Sequence, residues 1–517
     1  MELWSTKRLV KRHGAYPLAG SPFIAFPRVL LNILFAGKGA SIVGGGYTKV
    51  TTRPLLDAWS MLTVVKFKGK AFQFIRNDSS LAVLPKCVLD EFANLPATIA
   101  TPSGGIQIDL LGPYTGVDLN LESRLHQSVV QRKLTPRLGA LTPSIESELK
   151  AAVADYFPVC DQWTEFMPSQ LFGKISARLS GRALVGAALC RDPTWLEISV
   201  KYTENVFKTV VLLRLFPKWT HPILYPLLPS YWQAQGYLRS AKAFLGPRIQ
   251  ELIRKSDTGS WNPDENNDDL NVLPWLVDAA KGEDRNPDTI AHAELLLAVA
   301  SVNTTLLRMV NVLYDLTANR TYFEELRAEV EAQRDSERGW NEKSYSQLYK
   351  MDSFLRESQR MTPPMIMGVR RIFKQPHTFA NGLHVPKDTY ACVATYAIEN
   401  DPEIVLDPDI FDGLRSYRHR QLNETDHSGS KTFSTDHQFT SPEPDALSFG
   451  YGKYACPGRH FAALLIKVLI VKLITEYDFK FLPGTERPKN MMIHEFMFCW
   501  PWQKMLLKRK YDRSCPF

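Results

Sequence analysis

A single large domain of the mainly α class with small β-sheets (α+β) is the fold that this 517-residue sequence predicts. Three observations predict it. Hydrophobic residues make up 44% of the chain, enough for a packed core, and no linker or low-complexity stretch divides it into the several domains its length alone suggests. Apolar residues recur at helical spacing over residues 144–156 and 194–213, and 291–314 and 461–477 are apolar almost throughout. Short alternating runs bounded by breakers mark strands early in the chain and again over residues 368–395.

In chain order, Val64-Val65-Lys66-Phe67 and Leu81-Ala82-Val83-Leu84-Pro85 carry the first strand signals, so a small sheet is expected over residues 60–100. Residues 216–232 crowd Trp219, Ile223, Leu224, Tyr225, Leu227 and Trp232 among four prolines, which exclude a continuous helix. That stretch is either an exposed apolar patch or buried loop packing. Residues 291–314 are nearly uncharged and predict a buried central helix. Ser301, Asn303, Thr304 and Thr305 interrupt it, and hydroxyls there can bond a carbonyl one turn back and bend the helix. Residues 417–445, rich in Arg, His, Ser, Thr and Asp, predict a long surface loop, with His419, His427 and His437 solvated and not spaced as metal ligands.

Composition excludes several functions. The seven cysteines, Cys87, Cys160, Cys190, Cys392, Cys456, Cys499 and Cys515, are scattered and odd in number, which argues against a disulfide framework and for a reducing compartment. The formal charge of +8 is spread along the chain with no dense basic cluster or aromatic interleaving, so nucleic acid is not an expected partner. The run at 23–35 is broken by Pro27, Arg28 and Asn32, too short and polar to span a bilayer. Either the protein is soluble or peripherally bound, or the assigned start lies downstream of an anchor.

The strongest chemical signal is Phe449-Gly450-Tyr451-Gly452-Lys453-Tyr454-Ala455-Cys456-Pro457-Gly458-Arg459, a glycine-punctuated loop that runs into the helix over 461–477. Its glycines allow tight turns and close approach to a flat group, and a thiol at a helix start is aimed at by backbone N–H groups, which suits a thiolate metal ligand. Upstream, Glu357-Ser358-Gln359-Arg360 puts Glu357 and Arg360 on one helical face. A later Arg415 can share the Glu357 carboxylate in a buried ion network.

Taken in this order, the Glu-x-x-Arg helix, the later Arg and the Phe-Gly-x-Gly-x-x-x-Cys-x-Gly loop resemble the cytochrome P450 superfamily. Tyr114-Thr115-Gly116, Lys133-Leu134-Thr135-Pro136, Ser176-Ala177-Arg178-Leu179-Ser180 and Asp401-Pro402-Glu403 look like its fungal branch that oxidises diterpenes and related secondary metabolites. The resemblance implies the P450 fold, with haem b (iron protoporphyrin IX) between the central helix and the cysteine loop. It sets residues 1–45 apart as an N-terminal segment and 46–517 as the catalytic domain. By the same resemblance Cys456 is the axial ligand of haem iron, and Phe449 and Gly458 fall on the cofactor loop. Thr304 manages protons for bound dioxygen together with Asn303, an amide that positions water but cannot titrate.

For the haem propionates the resemblance offers Arg370, with Arg371 an equal candidate, and Tyr454, a phenol where relatives carry Arg or His. Arg132 and His126 stand in for an early Trp-x-x-x-Arg pair. Glu357, Arg360 and Arg415 form the structural network. The implied activity is insertion of one oxygen atom from O2 into a lipophilic molecule such as a diterpene, indole-diterpene or meroterpenoid. Electrons come from NADPH through an FAD/FMN flavoprotein, the NADPH-cytochrome reductase, which Lys133, Arg137, Lys453 and Arg459 are candidates to meet. Met365, Ile366, Met367, Met497 and Phe498 are candidate pocket residues. A monomer in peripheral contact with the cytosolic face of the endoplasmic reticulum is expected. The alternatives are a haem-thiolate isomerase or dehydratase that uses no reductase, and a non-enzymatic haem sensor.

Overall fold

The computed structural model describes residues 16, 40–41, 43–44, 47, 69–75, 80–119, 124–259, 261–264, 269–426 and 437–517. The mainly α architecture with small sheets is as expected. The largest sheet contains β1 (Phe72–Ile75), β2 (Ser80–Leu84), β3 (Ala100–Thr101), β4 (Gly368–Phe373) and β5 (Tyr390–Val393) in the order β1-β2-β5-β4-β3. β1 and β2 are antiparallel, with Phe72 opposite Val83, whereas β2 runs parallel to β5, with Ala82 opposite Ala391. Parallel neighbours require a crossover, and here most of the helical body supplies it. The strand signal at 64–68 lies outside the described residues. Tyr16, Val43 and Tyr47 are buried in the same cluster as Phe72, Leu81 and Val393, and Tyr16 donates its hydroxyl to the His384 carbonyl at 2.5 Å.

The helical body is built on α1 (Leu138–Tyr156), α2 (Pro168–Leu184), α3 (Pro193–Leu213), α4 (Pro229–Asp257), α5 (Pro287–Ala318), α6 (Tyr349–Met361), α7 (Arg415–Asp426) and α8 (Arg459–Glu476). Proline opens α2, α3, α4 and α5, where its missing N–H costs nothing and its φ is already helical. Asp192 caps α3 through the Thr194 amide at 2.7 Å, and Asn286 caps α5 through the Asp288 amide at 2.8 Å. The central helix, expected over 291–314, is longer and packs against α2, α3, α4 and α8. Two polar contacts tie it to α2: Ser176 donates to the Val302 carbonyl and Ser180 bonds Ser301, each at 2.7 Å. Among the described residues it alone is long and apolar enough to cross a membrane, and most of it is buried inside the protein.

One expectation changes, and one pair of alternatives is decided. Residues 415–426 form α7 where a surface loop was expected. Arg-Ser-Tyr-Arg-His-Arg-Gln-Leu-Asn-Glu-Thr-Asp has no apolar stripe to betray a helix. Polar tertiary contacts hold it instead: the Tyr417 amide donates to Ser353 Oγ at 3.0 Å, and the buried Arg420 lies 4.4 Å over the Tyr349 ring. His419 is exposed as expected, His437 pairs with Glu443 at 2.9 Å, and His427 lies outside the described residues. The segment 216–232 is broken into short turns before α4 begins, and of its two readings the exposed patch is the one observed. Phe216, Trp219, Ile223, Leu227 and Trp232 all face outward, Leu227 at 71% exposure.

Candidate functional site

Local backbone chemistry shapes the cysteine loop. Gly450 and Gly452 have φ of +77° and +66°, in the left-handed region. A Cβ on Gly452 would lie 2.9 Å from Asn94 Oδ1, so only glycine lets the loop seat on the helix Leu89–Asn94. Gly458 differs from the expectation of a tight turn: its φ is −88°, open space surrounds it, and it serves as the N-cap of α8. The Cys456 amide donates to the Phe449 carbonyl at 2.7 Å, closing the loop on itself, and the Phe449 ring packs edge-on to Phe439 at 5.2 Å. Burial pushes the Cys456 thiol up, while the backbone amides of Gly458 and Arg459 and the Arg459 charge pull it down. The helix-start donors expected from the sequence are in place.

Beneath the loop stands the ion network. Arg360 holds Glu357 in a fork, with Nη2 to Oε1 at 2.7 Å and Nε to Oε2 at 2.9 Å. Arg415 Nε is 3.4 Å from Glu357 Oε2, and the Asp412 amide donates to Oε1 at 3.0 Å. Glu357 and Arg360 are buried, and the long-range partner predicted from order in the chain is the one found. α6 is tied to the central helix by Arg308, which donates to Ser358 Oγ and Thr362 Oγ1 at 3.1 Å each and which burial lowers to about 10.

On the central helix, Ala300 and Thr304 are exposed although every other residue between 290 and 317 is buried or half-buried. Four apart, they open one face at the middle of an otherwise enclosed stretch of helix. The Thr304 hydroxyl donates to the Ala300 carbonyl at 2.7 Å, the back-bond expected for a bend. Asn303 is half-buried beside it.

The candidate propionate residues separate. Arg370 is ion-paired to Asp109 and lies 3.5 Å from Glu495, which also takes Arg214 at 2.7 Å. Arg132 is exposed. Around Tyr454 stand Arg371 at 4.5 Å, Arg124 at 5.2 Å and Lys453 at 5.2 Å from the ring centroid. Arg371 is buried, donates to the carbonyls of Ala93, Leu95 and Ala100, and keeps an unpartnered Nε; burial lowers its pKa. His126 is half-buried, with an unpartnered Nδ1. Arg124 carried no sequence signal, being an ordinary basic residue before a short helix.

Among the described residues no carboxylate pairs with Arg124, Arg371 or Lys453, so three cations converge on the Tyr454 ring without a carboxylate partner. A flat group with anionic arms there, a soft thiolate donor from the loop and an opened helix face fits this donor set. Of the other candidates, Lys133 pairs with Asp278 at 3.6 Å and Arg137 with Asp264 at 2.5 Å, and Arg459 donates to the carbonyls of Thr440 and Cys456. Ile366 and Met367 are fully buried core residues, so neither lines an open pocket, whereas Met365, Met497 and Phe498 are half-buried.

Such a helical body, with a cysteine loop feeding a helix that packs on the opened central helix, defines the class of haem-binding oxidoreductases. Residues 121–509 match the cytochrome P450 family. Cytochrome P450 monooxygenase AN1598 of Emericella nidulans is 36% identical, covering 95% of this chain and 88% of its own. Cytochrome P450 monooxygenase paxP of Penicillium paxilli is 34% identical over 94% and 89%, and an ent-kaurene oxidase of Gibberella intermedia 31% over 96% and 89%. The solved structure of retinoic acid-bound cyanobacterial CYP120A1 superimposes with a TM-score of 0.59 at 17% identity, covering 85% of this chain and 92% of that one, and shares the fold. The chain belongs to the cytochrome P450 family and is a haem-dependent monooxygenase similar to those of fungi.

Proposed function

We propose that the protein inserts one atom of O2 into a C–H bond of a terpenoid, the other leaving as water, with electrons from NADPH through an FAD/FMN reductase. The observation that carries the reading is the cation cluster around Tyr454 next to the Cys456 loop, a donor set matched to a haem edge. Bound haem supplies oxygen activation, which a thiolate ligand favours by donating electron density. Cys456 is the ligand in this reading, its charge steadied by the Gly458 and Arg459 amides. Arg124, Arg371 and Lys453, with Tyr454, would hold the propionates. Thr304 hands protons inward from its exposed hydroxyl, and Asn303 orients water. Glu357, Arg360 and Arg415 keep the loop's supports fixed.

A lipophilic substrate is supported by the aromatic wall of Phe207, Phe496 and Phe498, whose ring centroids lie 5.8–6.5 Å apart, packed with Met365 and with Leu295 and Val299 of the central helix. The ent-kaurene oxidases among the relatives support a terpenoid. The outward apolar side chains over 216–232 support peripheral contact with a membrane, here the cytosolic face of the endoplasmic reticulum. We take the protein to act as a monomer.

The test is expression with a reductase and product analysis on candidate diterpenes, alongside the spectrum of the reduced carbon monoxide complex. Cys456→Ser is expected to abolish the thiolate-type Soret band and the product together. A variant that kept both would sink the assignment.

A further inference from the structure

Glu399 ends the short helix Thr395–Glu399, is 2% exposed, and is used by no step above. A buried carboxylate is costly unless hydrogen-bonded, and a helix C-terminus repels negative charge, so its own surroundings disfavour it twice. What compensates is the entrance of the cysteine loop. Glu399 Oε1 accepts the Leu447 amide at 2.5 Å and the Ser448 amide at 2.9 Å, and Ser448 Oγ reaches Oε2 at 3.1 Å. From there backbone bonds continue to the Cys456 amide: Gly450 N–H to Leu447 O at 2.7 Å, then Cys456 N–H to Phe449 O at 2.7 Å.

A carboxylate accepts without donating, so one oxygen can gather two successive amides. Glu399 also lines a cavity of about 220 Å³ with Glu357, Arg360, Arg415 and Phe449, which places it beside the ion network. We infer that Glu399 is a positioning residue for the thiolate ligand: its carboxylate fixes Leu447 and Ser448, and through them the Phe449 carbonyl that orients Cys456. The inference rests on Cys456 being the haem ligand.

A structural control exists in the same chain. Glu329 accepts the Lys350 and Met351 amides at 2.7 and 3.0 Å, a carboxylate on two successive amides with one on each oxygen, at the start of α6 and away from the loop. The experiment compares Glu399→Leu, Glu399→Gln, Glu329→Gln and Cys456→Ser holoenzymes by amide hydrogen exchange over residues 447–456 and by the Soret band of the reduced carbon monoxide complex. Both Glu399 variants are expected to exchange Leu447 and Ser448 about tenfold faster or more and to convert from the thiolate band to the thiol-type band several-fold faster than wild type, Leu more than Gln. Glu329→Gln is expected to lose stability yet keep the wild-type band. If Glu399→Leu does not fold, Glu399→Gln decides. Conversion no faster than in Glu329→Gln overturns the role of Glu399, whereas a thiolate band surviving in Cys456→Ser overturns the ligand assignment beneath it.

Discussion

Removing either end of the Glu357–Arg360 fork has a cost that can be ranked from the geometry. Breaking a buried ion pair costs about 3–5 kcal/mol, because the remaining charge is left without its counter-charge. In Arg360→Leu, Glu357 still has Arg415 at 3.4 Å and the Asp412 amide at 3.0 Å, so the loss belongs at about 3 kcal/mol. In Glu357→Leu, Arg360 keeps only neutral partners, Asn400 Oδ1 at 2.5 Å and Met361 Sδ at 3.1 Å, and now faces Arg415 as a like charge, so the loss belongs nearer about 5 kcal/mol. The double variant removes both charges and is expected to be clearly more stable than the sum of the two losses requires. Urea unfolding of the four proteins, followed by circular dichroism and haem release, measures all three quantities. Additive losses, or Arg360→Leu worse than Glu357→Leu, would refute the reasoning.

Thr304→Ala should keep NADPH consumption while product falls by about tenfold or more, and Thr304→Ser, which retains the hydroxyl, should recover most of it; equal coupling in all three proteins would remove Thr304 from proton delivery. Burial pushes Glu329 and Glu399 each up to about 7, so the folded chain holds extra protons there. That stability is fully present below the ordinary carboxylate value and is lost as pH rises through about 7. Burial opposes it, but bonds from His437 and Arg356 still bring Glu443 down to about 2, a contribution present above the ordinary value and lost as pH falls towards about 2. The urea midpoint should therefore rise from about pH 8 to about pH 5.5 and fall again in stronger acid; a midpoint flat over the upper window contradicts this. Replacing Trp219, Ile223 and Leu227 together by Glu should lower vesicle binding by about tenfold or more without changing the Soret band, and unchanged sedimentation with vesicles would exclude this face as the contact.

How much was legible in the sequence depended on the range of the interaction. The cysteine loop could be read because its requirements are local: positive φ at Gly450 and Gly452, and helix-start amides at Gly458 and Arg459, follow from neighbours in the chain. The central helix could be read because an apolar run of that length has one stable environment, and Glu357 with Arg360 because three residues span one helical turn. Arg415 needed only order along the chain.

What the tertiary structure alone decided were contacts between distant polar groups, whose partners no periodicity announces. It sent Arg370 to Asp109 and Glu495, and gave Tyr454 the company of Arg371 and Arg124. α7 formed from a sequence with no apolar face because Ser353 accepted the Tyr417 amide and the Tyr349 ring met Arg420. Glu399 was bound to Leu447 and Ser448, 48 and 49 residues further on. Apolar burial is written in composition and spacing because it is non-directional, whereas a charge or hydrogen bond takes its energy from one specific partner, and only the folded chain brings that partner within reach.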